Sequence, residues 1–290
     1  MTFIVIVAAL LLDQVLRPLD RLRLHPWFEA PLADWAERAS AAPSAMQILA
    51  ALAPSFILAF AVGAIAWGLM AANFVLGFIW AVLVLLFCLG PRNLTAGISA
   101  YLKARAAGDA AGARRIAAVL LGRVPPRGVH QCGVALSETA LVNAGDELFT
   151  VLFWFVLLGP LGAALFRVAD VIAMRAAVDR PRSYYAQAAN ALKQVMAWLP
   201  MHLLALTYAI ASGFHAAGKD KRDSEWGAEA PFLERGAAIV LQTGRHAIRA
   251  VGAKSANEIE LLHAAVDLIW RGVVIWLAVI GIIVLLAWVF

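Results

Sequence analysis

Asp146 and Glu147 stand side by side, and nineteen uncharged residues, Leu148 to Phe166, follow them directly. Arg167 and Asp170 close that run. Asp13 interrupts the first apolar run of the chain, and His202 lies near the middle of another. An ionisable side chain at membrane depth is costly, so each of these is a functional position by default. The chemistry open to adjacent acids there is the binding of a ligand. The competing reading puts each group at a headgroup boundary, facing water. For Asp146 and Glu147 the residues alone leave both readings open. His202, two residues after Pro200, reads as a neutral packed histidine.

Other chemistries leave no trace. The chain has no GxxxxGK[ST] phosphate loop, no GxGxxG turn and no HExxH. Its histidines, His25, His130, His202, His215, His246 and His263, are scattered, with none within four residues of another, so no local metal pair exists. No metal site and no catalytic residue is assigned on spacing. Cys88 lies in an apolar run and Cys132 in what reads as a polar loop; both read as small core residues without a disulfide.

The elements that must position these residues are membrane helices. Of the 290 residues 63% are hydrophobic and 15% charged, and the mean hydropathy is +0.80. Soluble domains are only about 45–50% apolar, so the lipid bilayer is the expected solvent and partner. A spanning helix needs about 20 apolar residues. Residues 39–91 hold no charged side chain, which allows spans at about 46–68 and 74–90, with Ala71-Ala72-Asn73 as the turn between them. Further spans are expected over 148–167, 194–214 and 271–290. The run at 1–16 crosses only if Asp13 and Gln14 are included; it reads as retained, not as a signal peptide. The expectation is an all-α polytopic membrane protein with five to six transmembrane or membrane-inserted helices, forming a single domain over 1–290.

Basic residues crowd the stretches 17–45, 91–146 and 215–270, which places those three on the cytoplasmic side. Residues 168–193 are basic too and break that pattern. The net charge of +5 follows from this loop bias and calls for no nucleic acid. Within the second loop, "AGISAYLKARAAGDAAGARRIAAVLLG" carries basic residues at helical spacing, interrupted at Gly108 and Gly122. It fits an amphipathic helix on the inner leaflet or a solvated helical loop. No feature of the sequence assigns an oligomeric state.

The start, "LLLDQVLRPLDRLRLHPWFE", with Leu12-Asp13 and His25-Pro26, resembles the membrane cobinamide-phosphate synthase family, CobD/CbiB. "AGARRIAAVLLGRVPP", which contains Arg123, is similar to that family's Ala-Arg-Arg…Gly-Arg-Asp segment. "SETALVNAGDELFTVLFWFVLLGPLG" resembles its acid-rich segment, matching at Glu138, Asn143 and Asp146. "MAWLPMHLLALTYAI" sits where the family has a Trp-x-Pro helix. The resemblance is spread over most of the chain in one order and implies ligand-binding positions at Asp13, His25, Arg123, Glu138, Asn143 and Asp146. It also implies a synthase that joins an amino-alcohol unit to a corrinoid carboxylate at the expense of ATP, with acids to hold Mg²⁺ and phosphates.

Several of those acids are absent. Val124, Val142 and Ala173 stand at positions where the family has acids, and Lys193-Gln194 replaces an Asp-Asp pair. Ala197 and His202 replace its Asn and Arg. The run "LFTVLFWFVLLGPLGAALFRV" resembles the related AmpE family. The expectation is therefore a non-catalytic inner-membrane sensor or regulator of AmpE type, tied to cell-envelope or β-lactamase-induction signalling, with no cofactor and a small-molecule or protein signalling partner. The alternative is an adenosylcobinamide-phosphate synthase of cobalamin biosynthesis, which would use ATP, Mg²⁺ and a corrinoid. A transporter or scaffold is the second alternative.

Overall fold

The computed structural model describes residues 2–15, 26–40, 42–89, 93–179, 181–212, 232–233, 235–250 and 257–289. Every regular element among them is helical. Four helices are long and apolar enough to cross a membrane, Ser44–Ala72, Val129–Leu158, Tyr184–Ala211 and Glu258–Leu286, and Thr2–Asp13 and Phe74–Cys88 are shorter apolar helices. The all-α polytopic expectation holds. The chain forms two compact units, Met1–Pro91 with Asp146–Ala197, and Arg92–Gly145 with Trp198–Phe290.

The first unit contains α1 (Thr2–Val15), α2 (Pro26–Ser40), α3 (Ser44–Ala72) and α4 (Phe74–Cys88). It also holds α8 (Thr150–Leu158), α9 (Pro160–Asp179) and the first half of α10 (Tyr184–Ala211). The turn between α3 and α4 is a single residue. Asn73 takes an extended conformation and its side chain accepts a hydrogen bond from Val75 N, capping α4. Helix α3 packs on α9. Its buried residues Ala51, Ser55 and Ala59 recur every four positions, and at Gly63, next in that series, a Cβ would stand 2.8 Å from Leu161 Cδ1. Lipid supplies no hydrophobic drive between helices, so close backbone approach over small residues holds such pairs together. The opposite side of α3 exposes Leu49, Ile57, Phe60 and Trp67, as a lipid-facing surface does.

The expected single span over 148–167 differs from the structure. The helix carrying Leu148 begins far earlier, at Val129, inside what reads as the 91–146 loop, and it ends at Leu158. Gly159 has φ +64 and ψ −149, a conformation that glycine reaches without strain. Pro160 then opens α9, in the first helical position that proline favours. Hydropathy counts apolar residues but does not register this change of direction.

The second unit contains α5 (Asn93–Ala106), α6 (Ala110–Leu121), α7 (Val129–Ala144), the second half of α10, α11 (Arg235–Ala250) and α12 (Glu258–Val289). Gly108 and Gly122, both at positive φ, end α5 and α6. Asp109 caps α6 by accepting from Gly112 N at 2.8 Å. This pair of helices is packed, not solvated. Ile98, Tyr101, Ala113 and Ala117 share a core with Cys132, Leu136, Ala140 and Leu262. Cys132 is thus a buried residue of α7 and not a loop residue; it and Cys88 are free thiols.

Candidate functional site

The two acids that precede the apolar run do not sit on regular helix. Gly145–Phe149 is one turn of π-helix between α7 and α8. Such a turn inserts an extra residue, rotates the side chains that follow and recurs at functional sites. Asp146 leaves this turn to meet Lys193 of α10, with Nζ 2.9 Å from its Oδ2. The same Nζ lies 2.8 Å from Asp170 Oδ1 of α9. That second contact is an ion pair without hydrogen-bond geometry. Arg167, one turn before Asp170 on the same face of α9, donates from Nη1 to Asp170 Oδ2 at 3.1 Å. Glu147 interacts electrostatically with the same charges, Arg167 first among those of opposite sign. All of these residues belong to the first unit.

Burial decides what this cluster means. The Asp170 side chain is 2% exposed, that of Arg167 12%, and those of Lys193 and Asp146 19% each. Charges are found that deep only when they are paired. Besides Asp170 Oδ1, the buried atoms of this unit that lack a hydrogen-bond partner include Arg167 Nε and Thr150 Oγ1, the latter one turn after Asp146. A buried donor without an acceptor is a place for a ligand atom or a water. Arg167 also lines an apolar cavity of about 390 Å³ with Leu58, Trp80, Phe87 and Ala164.

Lys193 fills the gap between Asp146 and Asp170, so a Mg²⁺ ion does not fit between that pair while the lysine is charged. No group of three or more His, Cys, Asp or Glu side chains among the described residues is arranged to hold a metal.

The second unit has its own charged contacts. Glu138 on α7 accepts from Arg245 Nε of α11 at 2.5 Å. Glu258, buried at the start of α12, accepts from Tyr101 Oη at 2.8 Å and from Arg105 Nε at 2.6 Å. Burial, and then the hydrogen bond to Glu258, raise the Tyr101 phenol well above its ordinary value. The hydrogen bond to Glu258 likewise raises Arg105.

Five of the six positions implied by the resemblance lie among the described residues. Asp13 is buried near the end of α1, and Asp146 belongs to the cluster above. Arg123 is exposed in the turn after α6. Glu138 pairs with Arg245, and Asn143 is half-buried on the last turn of α7. His25 lies outside the described residues. His202 packs its ring 4.5 Å from that of Trp198, and its Nδ1 lies 2.6 Å from Trp198 O. Residue types alone missed Arg167, Asp170 and Lys193 as partners of Asp146. The spacing of Arg167 and Asp170 was a usable signal. Lys193 stood out only as a departure, and its role needed the contact between helices.

A family model described as "CobD/Cbib protein" matches residues 6–244. The chain is similar to "Cobalamin biosynthesis protein CobD" of Chromobacterium violaceum, 34% identical over 221 residues, covering 72% of this chain and 68% of that one. It is also similar to "Cobalamin biosynthesis protein CobD" of Stutzerimonas stutzeri, 26% identical over 227 residues, covering 71% of this chain and 73% of that one. No solved structure matches. The names of these relatives overturn the expectation of a non-catalytic AmpE-type sensor or regulator and favour the cobalamin alternative. The missing acids argued for the regulator, but they are departures within a pattern that runs through most of the chain. On the match across residues 6–244, this chain belongs to the CobD/CbiB family.

Proposed function

We propose that this chain acts in cobalamin biosynthesis in the bacterial inner membrane, as an amide-forming synthase that joins an amino-alcohol unit to a corrinoid carboxylate. The observation that carries the reading is the family match over 6–244 together with two relatives named for cobalamin biosynthesis. The first unit supports it. Amide formation from a carboxylate needs a fixed cation to hold that carboxylate, and a guanidinium presents N–H groups in a fork that suits it. Arg167 spends Nη1 on Asp170 and has Nε left without a partner. Asp170 and Lys193 orient it. ATP would supply the driving force for the new bond. No step is routed through a metal, because Lys193 closes the acid pair.

The test is growth. A host that lacks its own synthase and needs a corrinoid is supplied with cobyric acid or with cobinamide. This chain should restore growth on cobyric acid, and Arg167→Ala should abolish that rescue while cobinamide still supports growth. Failure of the unaltered chain on cobyric acid, with cobinamide supporting growth and the protein present in the membrane, overturns the proposal.

A further inference from the structure

A groove of about 530 Å³ opens in the second unit between α5 and the first turns of α12. Its floor is apolar. Ile98 is buried in the core that α5 shares with α6, α7 and α12, and Leu102 and Val266 pack against that core. Its walls are polar. Ser99 and Lys103 lie one turn apart on α5, and His263 and Asp267 lie one turn apart on α12. All four are exposed, and none of their side chains makes a hydrogen bond or an ion pair with a described residue.

The same two helices show what a matched set looks like. Tyr101 and Arg105 of α5 both bind Glu258 of α12, whereas Lys103 and Asp267, on the same pair of helices, leave their charges uncommitted. The groove thus offers one ammonium, one carboxylate, one hydroxyl and one imidazole above an apolar floor. An anion alone would meet the carboxylate of Asp267, and a cation alone would meet the ammonium of Lys103. A group that carries both charges answers both. Ser99, Lys103 and His263 supply donors for phosphate oxygens, and the floor calls for a hydrocarbon segment beside the charges.

The position along α12 names the source of such a group. Glu258–Leu286 has membrane length, and no charged residue follows Arg271. Asp267 precedes Gly272 by five positions, about 8 Å along a helix, and the headgroup layer is about 5–8 Å deep on each face of a bilayer. Asp267 therefore stands at the level of lipid headgroups, with His263 one turn further out. Trp270, beside it, has the side chain that favours this layer. We propose that the groove holds the headgroup of a zwitterionic phospholipid. Its phosphate meets Lys103, Ser99 and His263, its cationic end meets Asp267, and its first acyl carbons lie on Leu102 and Val266. The inference does not use the cobalamin reading, and its test measures lipid binding to purified protein, which a failed growth rescue leaves untouched.

The full chain in detergent is titrated with phosphatidylcholine or phosphatidylglycerol of the same acyl chains, and native mass spectrometry resolves each bound lipid. The first phosphatidylcholine should bind about fivefold tighter than the second, and about fivefold tighter than phosphatidylglycerol. Lys103→Gln should bring the first phosphatidylcholine down to the affinity of the second. Asp267→Asn should reverse the preference in favour of phosphatidylglycerol, because it removes the carboxylate that an anionic lipid meets. Both side chains are exposed, so both variants should keep the melting temperature of the unaltered chain. Glycerophosphocholine, the same headgroup without acyl chains, should not displace the bound lipid. The proposal is overturned by equal affinity for the two lipids, by a preference that survives Asp267→Asn, or by a first phosphatidylcholine that Lys103→Gln leaves unchanged. Displacement by glycerophosphocholine at matched concentration overturns it too, since the ligand would then be a soluble one.

Discussion

Lys193 is the residue on which the buried cluster turns. One ammonium faces Asp146 and Asp170 from α10, so its removal leaves two carboxylates in a nearly closed site. Breaking a buried pair by deleting one partner costs about 3–5 kcal/mol. Lys193→Met should therefore lower the unfolding free energy in detergent by about that much, and adding Asp170→Asn should recover part of the loss, because contacting residues are not additive. A Lys193→Met protein as stable as the unaltered chain would show that the ammonium is not held there. Glu138 behaves differently. Arg245 is about half exposed, and such a pair contributes only about 0.2–1 kcal/mol. Glu138→Ala should change stability by less than that upper bound, so a loss of corrinoid-dependent growth in this variant reports a role in activity and not in folding. Tyr101 gives a pH signature. Its folded value is raised, so its contribution is fully present below the unfolded tyrosine range and is lost as pH climbs above it. Tyr101→Phe should flatten the alkaline loss of stability seen in pH titration of the melting temperature.

Among the elements, the 129–179 stretch sets where the charges point. Two backbone irregularities shape it, the π-turn at Gly145–Phe149 and the break at Gly159. The first rotates Asp146 and Glu147 relative to α7, and the second reverses the chain so that α9 returns Arg167 and Asp170 beside α8, on which it packs. Gly159→Ala places a Cβ on a residue at φ +64 and ψ −149, a region essentially confined to glycine, which costs about 1–3 kcal/mol. It should lower the melting temperature without touching a charged residue, and a neutral Gly159→Ala would mean that the turn accepts another conformation. The Gly159-Pro160 pair is a local signature of this break, although the apolar run over 148–167 reads straight through it. The π-turn has no comparable signature, because one residue inserted into a helix changes no composition.

At the scale of the whole molecule, the chain is an all-α polytopic membrane protein, and composition alone determined that. Sixty-three per cent apolar residues in long uncharged runs admit no solvent but lipid, since hydropathy is a local sum that needs no partner. The family was legible in the same way, as an ordered series of short motifs from Leu12-Asp13 to Trp198-Leu199-Pro200. Residue identity misled where it was read one position at a time. Lys193 in place of an acid looked like the loss of a ligand, and that weighed towards the regulator. Only the tertiary structure decided that this lysine closes a pair of acids on two other elements and that Glu138 meets Arg245. Asp146 lies 47 positions from Lys193 and Glu138 lies 107 from Arg245. Such pairings arise from how helices pack, and no local pattern in the chain encodes them.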